Sequence, residues 1–436
     1  MKFYNRTSEL KLLQSIRTRS KQSSKMTVLT GRRRIGKTRL IRHSLREEPY
    51  LYFFVARKNE ALLCEEYVEQ IKEVLNIPIF GKLECFKDIF HLLMNYAENQ
   101  ALNLVIDEFQ EFQKINSSVY SDLQNIWDEH KDITKMNLIL SGSVSSLMNK
   151  IFENSKEPLF GRANERLFVT PFSIETQKEI LTEINPQFEQ KDILSFYILA
   201  GGIPKYIEQF FDKNCGTKKL MLEEILQKNS IFIEEGKNVL IEEFGKEYNN
   251  YFSILSLLAT GKTTRNSIES LLSKDIGGYL NRLEEDYQII QRVRPIFSKP
   301  GTRNVRYYIR DNFLNFWFRF IYKNQGAVEI GNFDFVRRKV DRDFSTFSGL
   351  FLERYIKEQL AHTKKYAQIG SYWEKGNQNE IDIVATNDLT KTALIAEVKI
   401  QKKHISLEDL KLKTFDLQRK LSGYQIEYKG FSLEDI

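Results

Sequence analysis

Gly31-Arg-Arg-Arg-Ile-Gly-Lys-Thr38 is the stretch on which the reading of this chain turns. It follows the apolar run Met26-Thr-Val-Leu-Thr30 and leads into Arg39-Leu-Ile-Arg-His-Ser44, which reads as a helix. This is G-x-x-x-x-G-K-[ST] in the strand–loop–helix setting that the pattern requires. Gly31 and Gly36 let the backbone turn its N–H groups toward a phosphate chain. Arg32, Arg33, Arg34 and Ile35 form the loop between them, and three consecutive arginines add local positive charge. Lys37 is placed to reach β- and γ-phosphates, and the Thr38 hydroxyl to bind Mg²⁺. Arg39 opens a helix whose N-terminus favours an anion.

Working outward, Tyr50-Leu-Tyr-Phe-Phe-Val55 reads as a buried strand, followed by helical stretches near 59–75 and 83–99. Leu102-Asn-Leu-Val-Ile-Asp107-Glu108-Phe109 is a second apolar strand, ending in two carboxylates. With a phosphate loop upstream this is the Walker B pattern. Asp107 is the candidate Mg²⁺ ligand and Glu108 the candidate base that polarises the attacking water. Met136-Asn-Leu-Ile-Leu140 is a third strand, ending in Ser141-Gly-Ser143. A polar residue there reads either as a γ-phosphate sensor, Ser141 or Ser143, or as a plain strand-end turn. Arg162 lies in a glycine turn before a short apolar strand. It reads either as a γ-phosphate contact, in its own subunit or a neighbour's, or as a solvated surface arginine. The alternation of strands and helices over 20–172 predicts a parallel sheet covered on both faces.

The remainder divides by pattern. Residues 173–245 read as helices only, with Gly201 and Gly202 stopping one helix and Pro204 opening the next. Over 246–312 three helices precede two strands, near 289–293 and 305–309, which is the order of a winged helix-turn-helix. Arg282, Arg292, Arg294, Lys299, Arg303 and Arg306 make that segment basic. Such a module reads as DNA-binding or as a protein–protein module with a solvated basic face, and the acidic Glu284-Glu-Asp286 weighs against DNA. Residues 313–345 read as a helical connector, dense in aromatics. Over 346–436 a helix carrying Glu353 precedes a strand at 368–373, a turn at Asn377-Gln-Asn379, the strand Glu380-Ile-Asp382-Ile-Val-Ala385 and the strand Ala393-Leu-Ile-Ala-Glu397-Val-Lys399. A helix near 407–421 closes the pattern. Asp382 with Glu397-x-Lys399 is the PD-(D/E)xK arrangement. Strand alternation puts Glu397 and Lys399 on one face, with Asp382 on the neighbouring strand. Asp382 and Glu397 can share a Mg²⁺, and Lys399 can orient a water for attack on phosphate. Glu380 shares a face with Asp382.

Bulk properties set limits. At 436 residues the length suggests about three domains. A hydrophobic fraction of 42% and a charged fraction of 28% fit globular domains, and a net charge of +7 permits nucleic-acid binding without demanding it. Cys64, Cys85 and Cys215 have no metal or disulfide spacing. No run is apolar enough to span a membrane, and Met1-Lys-Phe-Tyr-Asn-Arg6 lacks a signal-peptide core, so a cytoplasmic protein is expected.

The order of parts resembles the archaeal-type ATPases of the AAA+/STAND lineage, which end in a domain of unknown function similar to restriction-endonuclease-like folds. The resemblance covers essentially the whole chain and rests on Phe3-x-x-Arg6-x-x-Glu9-Leu10, Gly31–Thr38, Leu104–Phe109, Ser141–Ser143, Gly161-Arg162, Gly201–Tyr206, Phe313–Phe320, Glu380–Ala385 and Glu397–Lys399. It implies an α/β fold in five parts: a P-loop ATPase core over 1–172, a helical lid over 173–245, a winged helix over 246–312, a connector over 313–345 and a nuclease-like domain over 346–436. It places Arg6 beside the adenine and implies ATP with Mg²⁺ as cofactors. The expected function is an ATPase coupled to DNA binding and Mg²⁺-dependent DNA cleavage, with a homo-oligomer as a further expectation. The alternatives are a signalling switch whose C-terminal parts bind without cutting, and a DNA-binding ATPase of origin-recognition type.

Overall fold

The computed structural model describes residues 1–143, 145–244, 247–376 and 378–436. Asn377, expected in a turn, lies outside them. The chain forms two compact units, Lys2–Pro171 and Phe172–Ile436, with Met1 grouped with the second.

The first unit is built on five parallel strands: β1 (Lys25–Thr30), β2 (Leu51–Phe54), β3 (Leu102–Asp107), β4 (Met136–Ser141) and β5 (Glu165–Phe168). Their order in the sheet is β2-β3-β4-β1-β5. Every residue of β3 and β4 is buried, which is why both read as unbroken apolar runs rather than alternating ones. The strand β4 inserts between β1 and β3, with Leu140 paired to both Val28 and Ile106. The strand ends carrying Gly31, Asp107 and Ser141 therefore lie side by side. Across β3 and β4 the buried Asn137 Nδ2 donates to Asn103 Oδ1 at 3.0 Å, and Asn103 Nδ2 donates to the Pro49 carbonyl at 3.0 Å. The helices Glu60–Leu75, Phe86–Asn99 and Val119–His130 pack Tyr67, Phe86, Phe90 and Trp127 into the core of this unit.

The second unit opens with five helices, Ile174–Ile184, Gln190–Ala200, Pro204–Asp212, Lys218–Ile225 and Ile231–Phe244. Gly201 ends the second of these in the left-handed conformation, at φ 56°. The helices Tyr248–Ala259, Arg265–Leu272 and Gly277–Asn281 follow, the last running into a π-turn over Arg282–Asp286. An antiparallel pair comes next, β6 (Ile290–Val293) with β7 (Arg306–Ile309). The C-terminal sheet has the order β11-β10-β9-β8, from β8 (Gln368–Tyr372), β9 (Ile381–Asn387), β10 (Thr392–Val398) and β11 (Gln425–Phe431). No helix among the described residues is long and apolar enough to cross a membrane.

Three expectations need correction. The division between 345 and 346 falls inside one continuous 30-residue helix, Phe333–His362. Its buried residues move from Val336, Val340 and Phe344 to Phe351, Leu352, Tyr355 and Ile356, so no single apolar stripe marks it as one element. The closing helix is two short ones, Leu407–Leu412 and Phe415–Lys420. Beyond them β11 pairs parallel to β10, a strand missed because only its last residue is fully buried.

Trp317 anchors the aromatic centre of the second unit. Its Nε1 donates to the Ile233 carbonyl at 2.8 Å, and a Cβ on Gly236 would lie 2.3 Å from its ring. Gly236→Ala is therefore expected to destabilise the protein by about 1–3 kcal/mol through overpacking, read as an earlier urea transition with a shifted tryptophan emission.

Candidate functional site

The phosphate loop is shaped by close approach. Gly31 has φ 147°, and a Cβ there would lie 2.7 Å from the Val169 carbonyl, just past β5, so only glycine fits. Arg34 and Gly36 take left-handed conformations, at φ 67° and 88°, and Gly36 caps the helix Lys37–Ser44. Ile35 is buried beneath the loop, while Arg33 and Arg39 are exposed and Arg32 and Arg34 half-buried. Lys37 Nζ donates to the loop carbonyls of Gly31 at 2.8 Å and Arg32 at 3.3 Å. The lysine is thus already poised over the cradle that a phosphate chain would enter. Arg6, buried and at φ 67°, donates to the Thr170 carbonyl at 2.7 Å and the Ile35 carbonyl at 3.5 Å, and pairs with Glu9 at 3.0 Å. It ties the N-terminal motif to the loop.

Asp107 ends β3 and is buried. Its Oδ2 accepts from the Thr38 hydroxyl at 3.1 Å and from the Tyr52 hydroxyl, and its Oδ1 from the Glu108 N–H at 3.0 Å. Burial, and then Asp107 itself, raise the Tyr52 hydroxyl well above its usual range, so it stays a donor. Glu108, at φ 56°, is held by Ser143 Oγ at 2.7 Å and Gln110 Nε2 at 2.5 Å. Gly142 permits this, since a Cβ there would lie 2.4 Å from Gln110 Oε1. Thr38 and Asp107 are hard oxygen donors within 3.1 Å of each other, beside a cradle of loop N–H groups. That donor set fits Mg²⁺, with water and phosphate completing its octahedron. Sequence reasoning passed over Tyr52 and Gln110. Tyr52 was hidden in an apolar run, and Gln110 in a turn whose geometry depends on β4.

Arg162 is placed elsewhere. It precedes β5, near Asn164, whose N–H donates to the Met26 carbonyl at the start of β1. This is the edge of the sheet where strands begin, roughly 15–20 Å of strand from the phosphate loop. There Arg162 pairs with Asp128 at 2.9 Å. Within its own chain it does not reach the nucleotide site, and the γ-phosphate reading is corrected to that extent.

The C-terminal sheet gathers a second cluster. Asp382 Oδ2, at the start of β9, accepts from the Val398 N–H at 2.8 Å. Lys399 Nζ lies 3.1 Å from Glu397 and 3.9 Å from Asp382, and Lys413 Nζ 3.5 Å from Glu397. Glu353 enters from the long helix beside Lys357, at 3.7 Å. Burial pushes the Glu353 carboxyl up to about 7, against the pull of Lys357 and with the help of Asp382 and Glu380. Burial also raises Asp382. Glu380 instead pairs with Arg306 of β7, whose guanidinium lies 4.4 Å from the Trp373 ring centre, and that pairing lowers its pKa. Among the described residues no three His, Cys, Asp or Glu side chains stand grouped to hold a metal. Two carboxylates from adjacent strands therefore fit a cation only with water and a substrate phosphate completing its shell.

Half of the six basic residues before this sheet are in ion pairs. Arg282 pairs with Glu247 at 3.0 Å, Arg292 with Glu284 at 3.2 Å, and Arg306 with Glu380. The loop between β6 and β7 bonds to the C-terminal sheet, Ile296 N–H to the Ser371 carbonyl at 2.8 Å and Trp373 Nε1 to Asn304 Oδ1 at 2.9 Å.

The raised Glu353 carboxyl has a pH consequence. Between its ordinary 4.5 and about 7 the folded chain holds a proton that the unfolded chain releases, so stability falls as pH rises through that window. In EDTA, the melting temperature is expected to drop from pH 5 to pH 7.5. Glu353→Gln should flatten that slope, by an amount on the order of 1–2 kcal/mol.

Comparison with known proteins agrees with this geometry. Residues 3–210 match a family model described as an ATPase domain predominantly from Archaea. Residues 317–411 match one described as archaeal and bacterial proteins of unknown function. An uncharacterized protein of Methanocaldococcus jannaschii is 30% identical over 432 residues, 96% of this chain and 91% of that protein. A Walker-type ATPase of Pyrococcus abyssi superposes with a TM-score of 0.56 at 20% identity, over 72% of this chain and 96% of that one, which shows a shared fold. Together with the parallel sheet, the glycine cradle and the Thr38–Asp107 pair, these findings lead to one conclusion: the chain belongs to the same family as the Methanocaldococcus protein, and residues 3–210 are an archaeal-type P-loop ATPase domain.

Proposed function

We propose that this ATPase drives a DNA-processing unit. In this reading residues 1–172 form the ATPase core, 173–245 a helical lid, 246–312 a winged helix, 313–345 a connector and 346–436 a restriction-endonuclease-like domain, the last two sharing the helix Phe333–His362. Gly31–Arg39 would cradle the triphosphate, with Lys37 on the β- and γ-phosphates and Arg6 beside the base. Thr38 and Asp107 would hold Mg²⁺, which neutralises the phosphate charge when bound. Glu108 would take the proton of the attacking water, and Ser143 would hold Glu108 until the γ-phosphate arrives. Lys37→Ala is expected to cut ATP turnover at least about 100-fold, measured as phosphate release. Turnover at the wild-type rate would remove the assignment.

For the C-terminal unit, one observation carries the reading: Asp382, Glu397 and Lys399 converge at the ends of adjacent strands, with the protonatable Glu353 nearby. Asp382 and Glu397 would hold Mg²⁺ when a DNA phosphate supplies further oxygens. Lys399 would orient a water in line with the scissile bond. Purified protein with ATP and Mg²⁺ or Mn²⁺ is expected to nick single-stranded, duplex or branched DNA, and Asp382→Ala and Lys399→Ala to abolish the nicking. A second reading, DNA or partner binding without cleavage, is favoured by the two lysines that both engage Glu397. Intact DNA under all these conditions, together with a gel shift at low salt, would establish it in place of the first.

A further inference from the structure

We infer that Tyr52 is a positioning residue of the nucleotide site: its hydroxyl fixes the Asp107 carboxylate in the orientation that receives the Mg²⁺ of Mg²⁺–ATP. The inference rests on the reading of Thr38 and Asp107 as the metal-binding pair. Asp107 is buried at the end of β3, and its orientation is set by what donates to it. The Glu108 N–H takes Oδ1 at 3.0 Å, and the Thr38 hydroxyl takes Oδ2 at 3.1 Å. Thr38 can keep that bond while its oxygen lone pair turns to the cation, because the hydroxyl donates through hydrogen and ligates through oxygen.

Tyr52 is the third donor, on the same Oδ2 and from a different strand. It is half-buried in β2, beside β3 in the sheet, and its ring faces the Arg42 guanidinium at 5.0 Å. Arg42 belongs to the helix that follows the phosphate loop. The tyrosine thus links three elements: the loop helix through Arg42, the Walker B strand through Asp107, and its own strand. A second donor on a metal-binding carboxylate fixes its rotamer, and removal of such partners typically weakens metal affinity about 10–100-fold.

The test uses the full chain. Tyr52→Phe deletes one oxygen and preserves the ring. Binding of a fluorescent N-methylanthraniloyl-ATP is measured with Mg²⁺ and again in EDTA, and ATP turnover is titrated with Mg²⁺. The expected result is about 10-fold weaker nucleotide binding in Mg²⁺, unchanged binding in EDTA, and a Mg²⁺ half-saturation raised about 10-fold with turnover at saturating Mg²⁺ retained. Arg42→Ala, which only loosens the ring, should move the same half-saturation by about 2–3-fold. Equal weakening in Mg²⁺ and EDTA would make Tyr52 a packing residue and overturn the inference, as would a wild-type Mg²⁺ dependence. Asp107→Ala separates the two layers. If it too leaves the Mg²⁺ dependence unchanged, the metal reading of Asp107 fails. If it shifts the dependence and Tyr52→Phe does not, only the role of Tyr52 falls.

Discussion

The Asp107 carboxylate is the point at which the first unit closes on itself. Donors reach it from the helix after the phosphate loop, from the chain just beyond β3, and from β2. A buried polar group is tolerable only when its lone pairs are occupied, so the three elements must keep their relative positions for the carboxylate to keep its donors. The strand order enforces this. With β4 between β1 and β3, the strand ends bearing Gly31, Ser141 and Asp107 lie along one edge, and Ser143 reaches Glu108 from the turn after β4. The carboxylates of Glu108 and Asp107 are thus held by different neighbours, and a change at one need not release the other.

The C-terminal sheet solves a different electrostatic problem. Glu353 feels the charge of Asp382, Asp382 and Glu397 flank Lys399, and Lys357 and Lys413 accompany them. Burial disfavours the charged forms of Glu353 and Lys357, which is why Glu353 moves toward neutrality and Lys357 is lowered. Glu380 escapes this by turning to Arg306, and the same contact fastens the β6–β7 hairpin to the sheet. An arginine that reads as one of six basic residues for a phosphate backbone is therefore committed inside the second unit, and two others share that fate.

Much of this was legible before any coordinates. The phosphate loop, the Asp107-Glu108 strand end and the E-x-K strand each need fixed residue types at fixed spacing, and local chemistry forces that spacing. The gaps have physical causes. Tyr52 reads as one aromatic in a buried run until β2 is set beside β3. Arg162 reads as near the nucleotide until the parallel sense of β5 sends it to the opposite edge. The strand β11 is half exposed and carries no strong apolar signal.

The sequence by itself determined the chemistry offered at each strand end: glycines where a Cβ would collide, a lysine and a threonine at the end of the glycine loop, paired acids after apolar runs. These follow from covalent geometry and side-chain type within a few residues. Only the tertiary structure decided which of those groups meet. Ser143 and Gln110 on Glu108, Tyr52 on Asp107, Arg306 on Glu380 and Lys413 on Glu397 are contacts between elements. Strand order and helix placement set them, through the burial of surfaces too far apart in the chain for any local pattern to register.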